Sequence, residues 1–131
     1  MPRRKKKKKL WSKQSNYTKK DGTVVVMDST WEVAMAKRLD HLKITWTRHE
    51  DMKLVYFSKT GRRRNYIPDF YLPEYNAYIE VKGYWTDPAR HKMKDIVKRN
   101  PGKICILESL AEISGITKDI KPTLGSLIEL N

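Results

Sequence analysis

Two runs rich in aromatic and β-branched residues, Asn65 to Leu72 and Ala77 to Lys82, stand on either side of Pro73-Glu74-Tyr75-Asn76. So short a connection obliges the two strands to fold back and pair antiparallel, and no other feature constrains the chain as strongly. Counting outward from the turn sets Leu72 opposite Ala77 and therefore Asp69 opposite Glu80. Lys82 lies two residues beyond Glu80, and strand side chains alternate with period two, so the three ionic groups are predicted to share one face. The count requires a four-residue turn and no β-bulge, since either departure shifts the register.

Directly opposed residues on antiparallel strands hold their β-carbons about 4.5–5.5 Å apart, and two like charges at that range destabilise the sheet unless something offsets them. A divalent cation is the natural offset. Carboxylate oxygens are hard ligands suited to Mg²⁺, with Mn²⁺ expected to substitute, and Mg²⁺ leaves positions to water and phosphate when one or two carboxylates hold it. The backbone carbonyl of Val81 is a further candidate ligand. Each residue also has an ordinary reading: Asp69 as a strand end after Pro68, Glu80 and Lys82 as the solvent side of an amphipathic strand that also carries Tyr78. Their convergence favours a metal site.

Around this hairpin the chain reads as alternating elements. Asp21-Gly22 between Asn16–Lys20 and Thr23–Met27 signals a small hairpin. Ser29 precedes Glu32 by three residues, and Trp31, Met35, Leu39 and Leu42 recur at helical spacing, which predicts a helix over 29–42. Lys53 to Phe57 and Lys103 to Leu107 read as strands, Asp87 to Arg99 as a helix with an acidic start and a basic end, and Ser109 to Ile113 as a short helix. Residues 117–131 show no assignable pattern. The order helix, three strands, helix, strand gives an α/β fold, with helices on a mixed sheet and the last strand parallel to the one bearing Glu80.

A chain of 131 residues is the size of one domain, expected over 16–131. Lys and Arg outnumber Asp and Glu by 28 to 15, a net +13, which suits a polyanionic partner. Arg3, Arg4, Lys5, Lys6, Lys7, Lys8 and Lys9 lie in a polar arm over 1–15, expected to contact phosphates or to act as a solvated tail. Arg62, Arg63 and Arg64, and Lys94 with Lys98 on one helical face, are further candidates for DNA contact. His41, His49 and His91 lack metal-ligand spacing, and the four tryptophans read as packing residues. The single Cys105, in an apolar run, reads as a buried small hydrophobe and rules out an intrachain disulfide framework. No run is long enough to span a membrane and no secretory signal is recognisable, so a soluble, cytoplasmic protein without a membrane partner is expected.

Ile67-Pro68-Asp69-Phe70 followed by Ile79-Glu80-Val81-Lys82-Gly83 resembles the PD-(D/E)XK signature of restriction-endonuclease-like nucleases. The wider stretch, about 29–107, is similar to the phage endonuclease I family of Holliday-junction resolvases, including Leu72-Pro73 and the aromatic Trp85 after Lys82-Gly83. The resemblance implies a central mixed sheet of four to five strands flanked by helices, and catalytic Glu32, Asp69, Glu80 and Lys82. It implies Mg²⁺ held by Asp69, Glu80, Val81 and Glu32, and a homodimer that cuts branched DNA. Glu32 also reads as the capping partner of Ser29, and the two roles can coexist. The same catalytic core serves sequence-specific homing and mobile-element endonucleases. A reading from another class is a non-catalytic nucleic-acid binder, which accounts for the charge but leaves the convergence of Asp69, Glu80 and Lys82 unexplained.

Overall fold

The computed structural model describes residues 13–48 and 53–130, and within them the chain is mixed α/β. A short antiparallel hairpin, β1 (Ser15–Thr18) and β2 (Val24–Met27), leads into α1 (Thr30–His41). Strands β3 (Leu54–Phe57) and β4 (Arg63–Tyr66) form a second antiparallel hairpin. Next come β5 (Phe70–Leu72), one turn of 3-10 helix (Pro73–Tyr75), β6 (Ala77–Val81), α2 (Asp87–Arg99), β7 (Ile104–Leu107) and α3 (Leu110–Ser114). Strands β5, β6 and β7 make the central sheet, β5 antiparallel and β7 parallel to β6. The first residues of the expected arm lie outside the described residues, and Ser15, its last, opens β1.

The helices begin where the capping chemistry puts them. Ser29 Oγ accepts from the Glu32 amide at 3.1 Å, and the Glu32 carboxylate accepts from the Asp28 amide at 3.1 Å. Ser109 and Glu112 repeat the device at α3. Thr86 caps α2, whose Asp87 start and Lys98-Arg99 end suit its dipole.

Two expectations are corrected. The run 65–72 is two strands: Pro68 has no amide hydrogen to give a ladder and restricts Ile67 before it, so β4 stops at Tyr66 and β5 starts at Phe70. Because β4 then pairs with β3 and β5 with β6, the central sheet has three regular strands, short of the four to five expected. Single bridges widen it on both edges, from Thr47 to Tyr71 and from Cys105 to Thr123.

The sheet is covered on both faces, and period two decides which side chain goes where. Phe70, Leu72, Ile79, Val81, Cys105 and Leu107 pack with Met35, Ala36, Leu39 and Trp46 on the α1 side. Ile104 and Ile106 pack with Met93 and Ile96 of α2 and with Tyr66 on the other. Burial of each such side chain contributes about 1.5–3 kcal/mol. Glu80, alternating with Ile79 and Val81, is directed to the α2 side.

The segment after α3, without pattern in the sequence, lies along the outer edge of β7. Ile106 donates to the Thr123 carbonyl at 2.7 Å and Thr123 to the Ile104 carbonyl at 3.2 Å. Glu108 anchors it, accepting from Trp85 Nε1 at 2.6 Å and from the Ser126 amide and hydroxyl at 2.5 and 2.7 Å. Burial alone raises the Glu108 pKa, but these donors outweigh it and hold the carboxyl below its ordinary value. A depressed folded-state value adds stability that is present above the unfolded value and lost as pH falls through the folded one. Glu108→Gln is therefore expected to speed amide exchange at Ile106 and Thr123 roughly tenfold at neutral pH, matching loss of a charged hydrogen bond of about 1.5 kcal/mol. Wild type is expected to show the same opening on acidification; unchanged exchange in the variant contradicts the anchoring role.

Candidate active site

The register read from the turn is the observed one. Leu72 pairs with Ala77, Tyr71 with Tyr78 and Phe70 with Ile79, so the next step outward sets Asp69 beside Glu80. Asp69 sits just before β5, where Pro68 has released the chain from the β3–β4 hairpin. Its Oδ2 accepts from the Val81 amide at 2.7 Å, and its carboxyl lies close enough to that of Glu80 for each to act on the other. Glu80 is buried and Asp69 half-buried.

Burial is the main cause that pushes the Asp69 pKa well above the usual carboxylate range, and the charges of Glu80 and Glu32 push it the same way. Burial also raises Glu80, against the Tyr66 hydroxyl, Lys82, Asp69 and Lys92, which all favour its charged form. Charge is thus opposed by burial on both carboxyls, and the neighbouring donors and cations relieve Glu80 more than Asp69.

Lys82 falls where period two puts it. Its amide continues the pairing with β7 by donating to the Leu107 carbonyl at 2.9 Å, and its ammonium acts on Glu80 while lying 5.4 Å from the centre of the Trp85 ring. Glu32 makes the capping contacts expected of it and meets a further partner, Arg48. Its Oε1 lies 2.7 Å from Arg48 Nη2, so this carboxylate is held by a buried guanidinium while its field still reaches Asp69. Among the described residues no three His, Cys, Asp or Glu side chains gather closely enough to hold a metal. Asp69 and Glu80 are the two carboxylates that the strand pairing brings together.

Three contributors escaped the sequence reading. Arg48, 4% exposed, donates to the Asp69 carbonyl at 2.8 Å and to the Val26 carbonyl at 3.3 Å, and its plane lies 5.3 Å from the Phe70 ring. It ties α1, β2 and the Asp69 segment together. Tyr66, buried on the α2 side, donates its hydroxyl to Glu80 Oε1. Strict alternation along 65–72 places Tyr66 opposite in facing to Asp69, and only the break at Pro68 lets both reach Glu80. Lys92 lies 4.9 Å from the centre of the Tyr66 ring and acts on Glu80. A basic helix after Lys82 was legible, but the face it turns inward was not.

The other candidates are spread around the site. Arg62 lies in the β3–β4 turn, Arg63 and Arg64 are exposed on β4, and Lys94 and Lys98 are exposed on α2. Arg3, Arg4, Lys5, Lys6 and Lys7, like His49, lie outside the described residues. His91 Nε2 meets the Phe57 carbonyl at 3.2 Å and joins α2 to β3, a structural role. Cys105 is a buried free thiol.

Two outcomes follow from this electrostatics. A carboxyl with a raised folded-state pKa adds stability that is present below the unfolded value and lost as pH rises through the folded one. Asp69→Asn keeps an acceptor for Val81 and removes the charge that burial and Glu80 oppose, so in chelator it is expected to raise stability at neutral pH. The gain should grow with pH in thermal unfolding; a loss instead shows that the Asp69 charge is itself stabilising. Arg48→Met strands Glu32 without its cation and should cost about 3–5 kcal/mol in denaturant unfolding. Adding Glu32→Gln should recover much of that, and no recovery refutes the pairing as the cause.

In comparisons with known proteins, no family model, no curated protein and no solved structure matches this chain, so the chemistry of the site rests on its own geometry.

Proposed function

We propose that the chain is a metal-dependent endodeoxyribonuclease with a restriction-endonuclease-like core, hydrolysing phosphodiester bonds in DNA and directed to branched or junction structures. The observation that carries the reading is the pair of carboxylates, Asp69 and Glu80, set against each other where burial opposes charge on both. Such a pair demands a proton or a cation. Two carboxylates and the Val81 carbonyl form a hard, all-oxygen donor set that fits Mg²⁺ or Mn²⁺ and leaves room for water and phosphate.

A cation held there supplies Lewis acidity toward a phosphodiester and toward water. The remaining work belongs to the chain. Val81 and Tyr66 fix one oxygen of Asp69 and of Glu80, which orients both carboxylates before substrate arrives. Lys82, beside Glu80 and braced by Trp85, offers an ammonium to orient water and to stabilise the charge developing on phosphate. Arg48, paired with Glu32, supports the site from behind by donating to the Asp69 carbonyl. The preference for junctions and a homodimeric state are supported by the resemblance to the phage endonuclease I family, since paired symmetric cuts require two such sites.

One observation favours a second reading, a non-catalytic nucleic-acid binder: the described residues offer two gathered carboxylates rather than three. The two readings separate in a cleavage assay on labelled four-way junction, duplex and single-stranded DNA with Mg²⁺, Mn²⁺ or EDTA. Expected is metal-dependent cutting, strongest on the junction, abolished by Glu80→Ala and lowered about 10²–10³-fold by Lys82→Ala. Folded wild type that binds junction DNA yet cuts none of these substrates overturns the nuclease.

A further inference from the structure

The β3–β4 hairpin leans on α2, and between them runs a groove of about 390 Å³. Tyr56 and Pro88 give it apolar walls, while Lys59, Arg64, His91 and Lys92 line it with basic groups. Among the described residues that line it there is no carboxylate. Its construction follows from strand register. Tyr56 pairs with Arg64, so both occupy one face of the hairpin, and Tyr66, two residues after Arg64, shares that face. The hairpin face that delivers the Tyr66 hydroxyl to Glu80 thus carries Arg64 and Tyr56 outward into the groove.

Lys92 is the join, 4.9 Å from the Tyr66 ring centre and 5.9 Å from that of Tyr56. His91, bonded to the Phe57 carbonyl, and Asp95, accepting from the Phe57 amide at 2.8 Å, fasten the helix to the hairpin and set the width. The volume is within the lower range of small-molecule sites, on the scale of one nucleotide and not of a base pair. Aromatic and proline surfaces between cations are what recognition of a single strand uses, rings taking the base and cations the phosphates.

We propose that this groove binds an unpaired nucleotide, its base against Tyr56 and Pro88 and its phosphates on Arg64, Lys59 and Lys92. The proposal rests on the nuclease reading for its purpose, which is to hold an unstacked nucleotide of the strand presented to Asp69 and Glu80. A junction or flap supplies such nucleotides where its arms meet, whereas intact duplex must first be opened.

The test is fluorescence anisotropy in EDTA with the full chain, using a labelled oligothymidylate and an abasic oligomer with the same number of phosphates. Arg64→Ala is expected to weaken both probes several-fold and to lower the salt dependence by about one ion. Tyr56→Leu, checked for native circular dichroism, is expected to weaken oligothymidylate about tenfold and to leave the abasic probe unchanged, with Tyr56→Phe restoring wild-type binding. Lys37→Ala, on exposed α1, serves as the control. If Arg64→Ala and Tyr56→Leu bind both probes as Lys37→Ala does, or if Tyr56→Leu weakens both probes equally, the groove is not a base site. Run beside the cleavage assay, the two readings fail separately. Unchanged binding in protein that still cuts junctions overturns the groove alone; base-dependent loss in protein that cuts no DNA keeps the groove and removes the nuclease.

Discussion

A proline that cannot donate a ladder hydrogen bond organises this molecule. At Pro68 the chain has to leave the hairpin it shares with β3, and it rejoins two residues later as the edge of the central sheet. Asp69 occupies that passage. A residue inside a regular strand has its backbone committed on both sides, whereas here the carbonyl of Asp69 is available to Arg48 and its carboxyl to the Val81 amide. The same break turns Tyr66 toward Glu80, so one missing amide hydrogen accounts for two of the contacts that shape the site.

The second determinant is the cost of charge in a partly dry place. Asp69 lies within the fields of both Glu80 and Glu32, and the protein meets that cost with specific donors. Arg48 neutralises Glu32 from below the sheet, and Tyr66, Lys82 and Lys92 favour charge on Glu80 from the other side. Buried ion pairs of this kind are seldom a net gain in stability over apolar packing. Paired acids of this kind fit the proposed nuclease, whereas in a binding protein they would oppose its own phosphate affinity.

Much of this was legible in the chain. Ser29 with Glu32 announced the start of α1 because capping is local, and the pairing of Leu72 with Ala77 followed from reading Pro73 to Asn76 as a four-residue turn. Less legible was the number of strands in the central sheet, because a run of β-forming residues carries no mark of which partner each half will choose. Arg48, between a helix and a strand in sequence, gave no sign of burial; arginine is ordinarily a surface residue, and only the acid and carbonyls that surround it make the interior tolerable. The C-terminal segment was unreadable because its order comes from the β7 edge and from Glu108, not from any periodicity of its own.

Sequence by itself determined the local elements, the register of β5 on β6, and with them the meeting of Asp69, Glu80 and Lys82, since turn length and the period of a strand are properties of neighbouring residues. Tertiary structure decided which hydroxyl, guanidinium and ammonium complete that meeting. Tyr66, Arg48 and Lys92 reach the site across gaps of 14, 21 and 12 residues to Glu80, Asp69 and Glu80 respectively. Contacts at such separations depend on how α2, the β3–β4 hairpin and the segment before it pack on the two faces of the sheet, which no local pattern encodes.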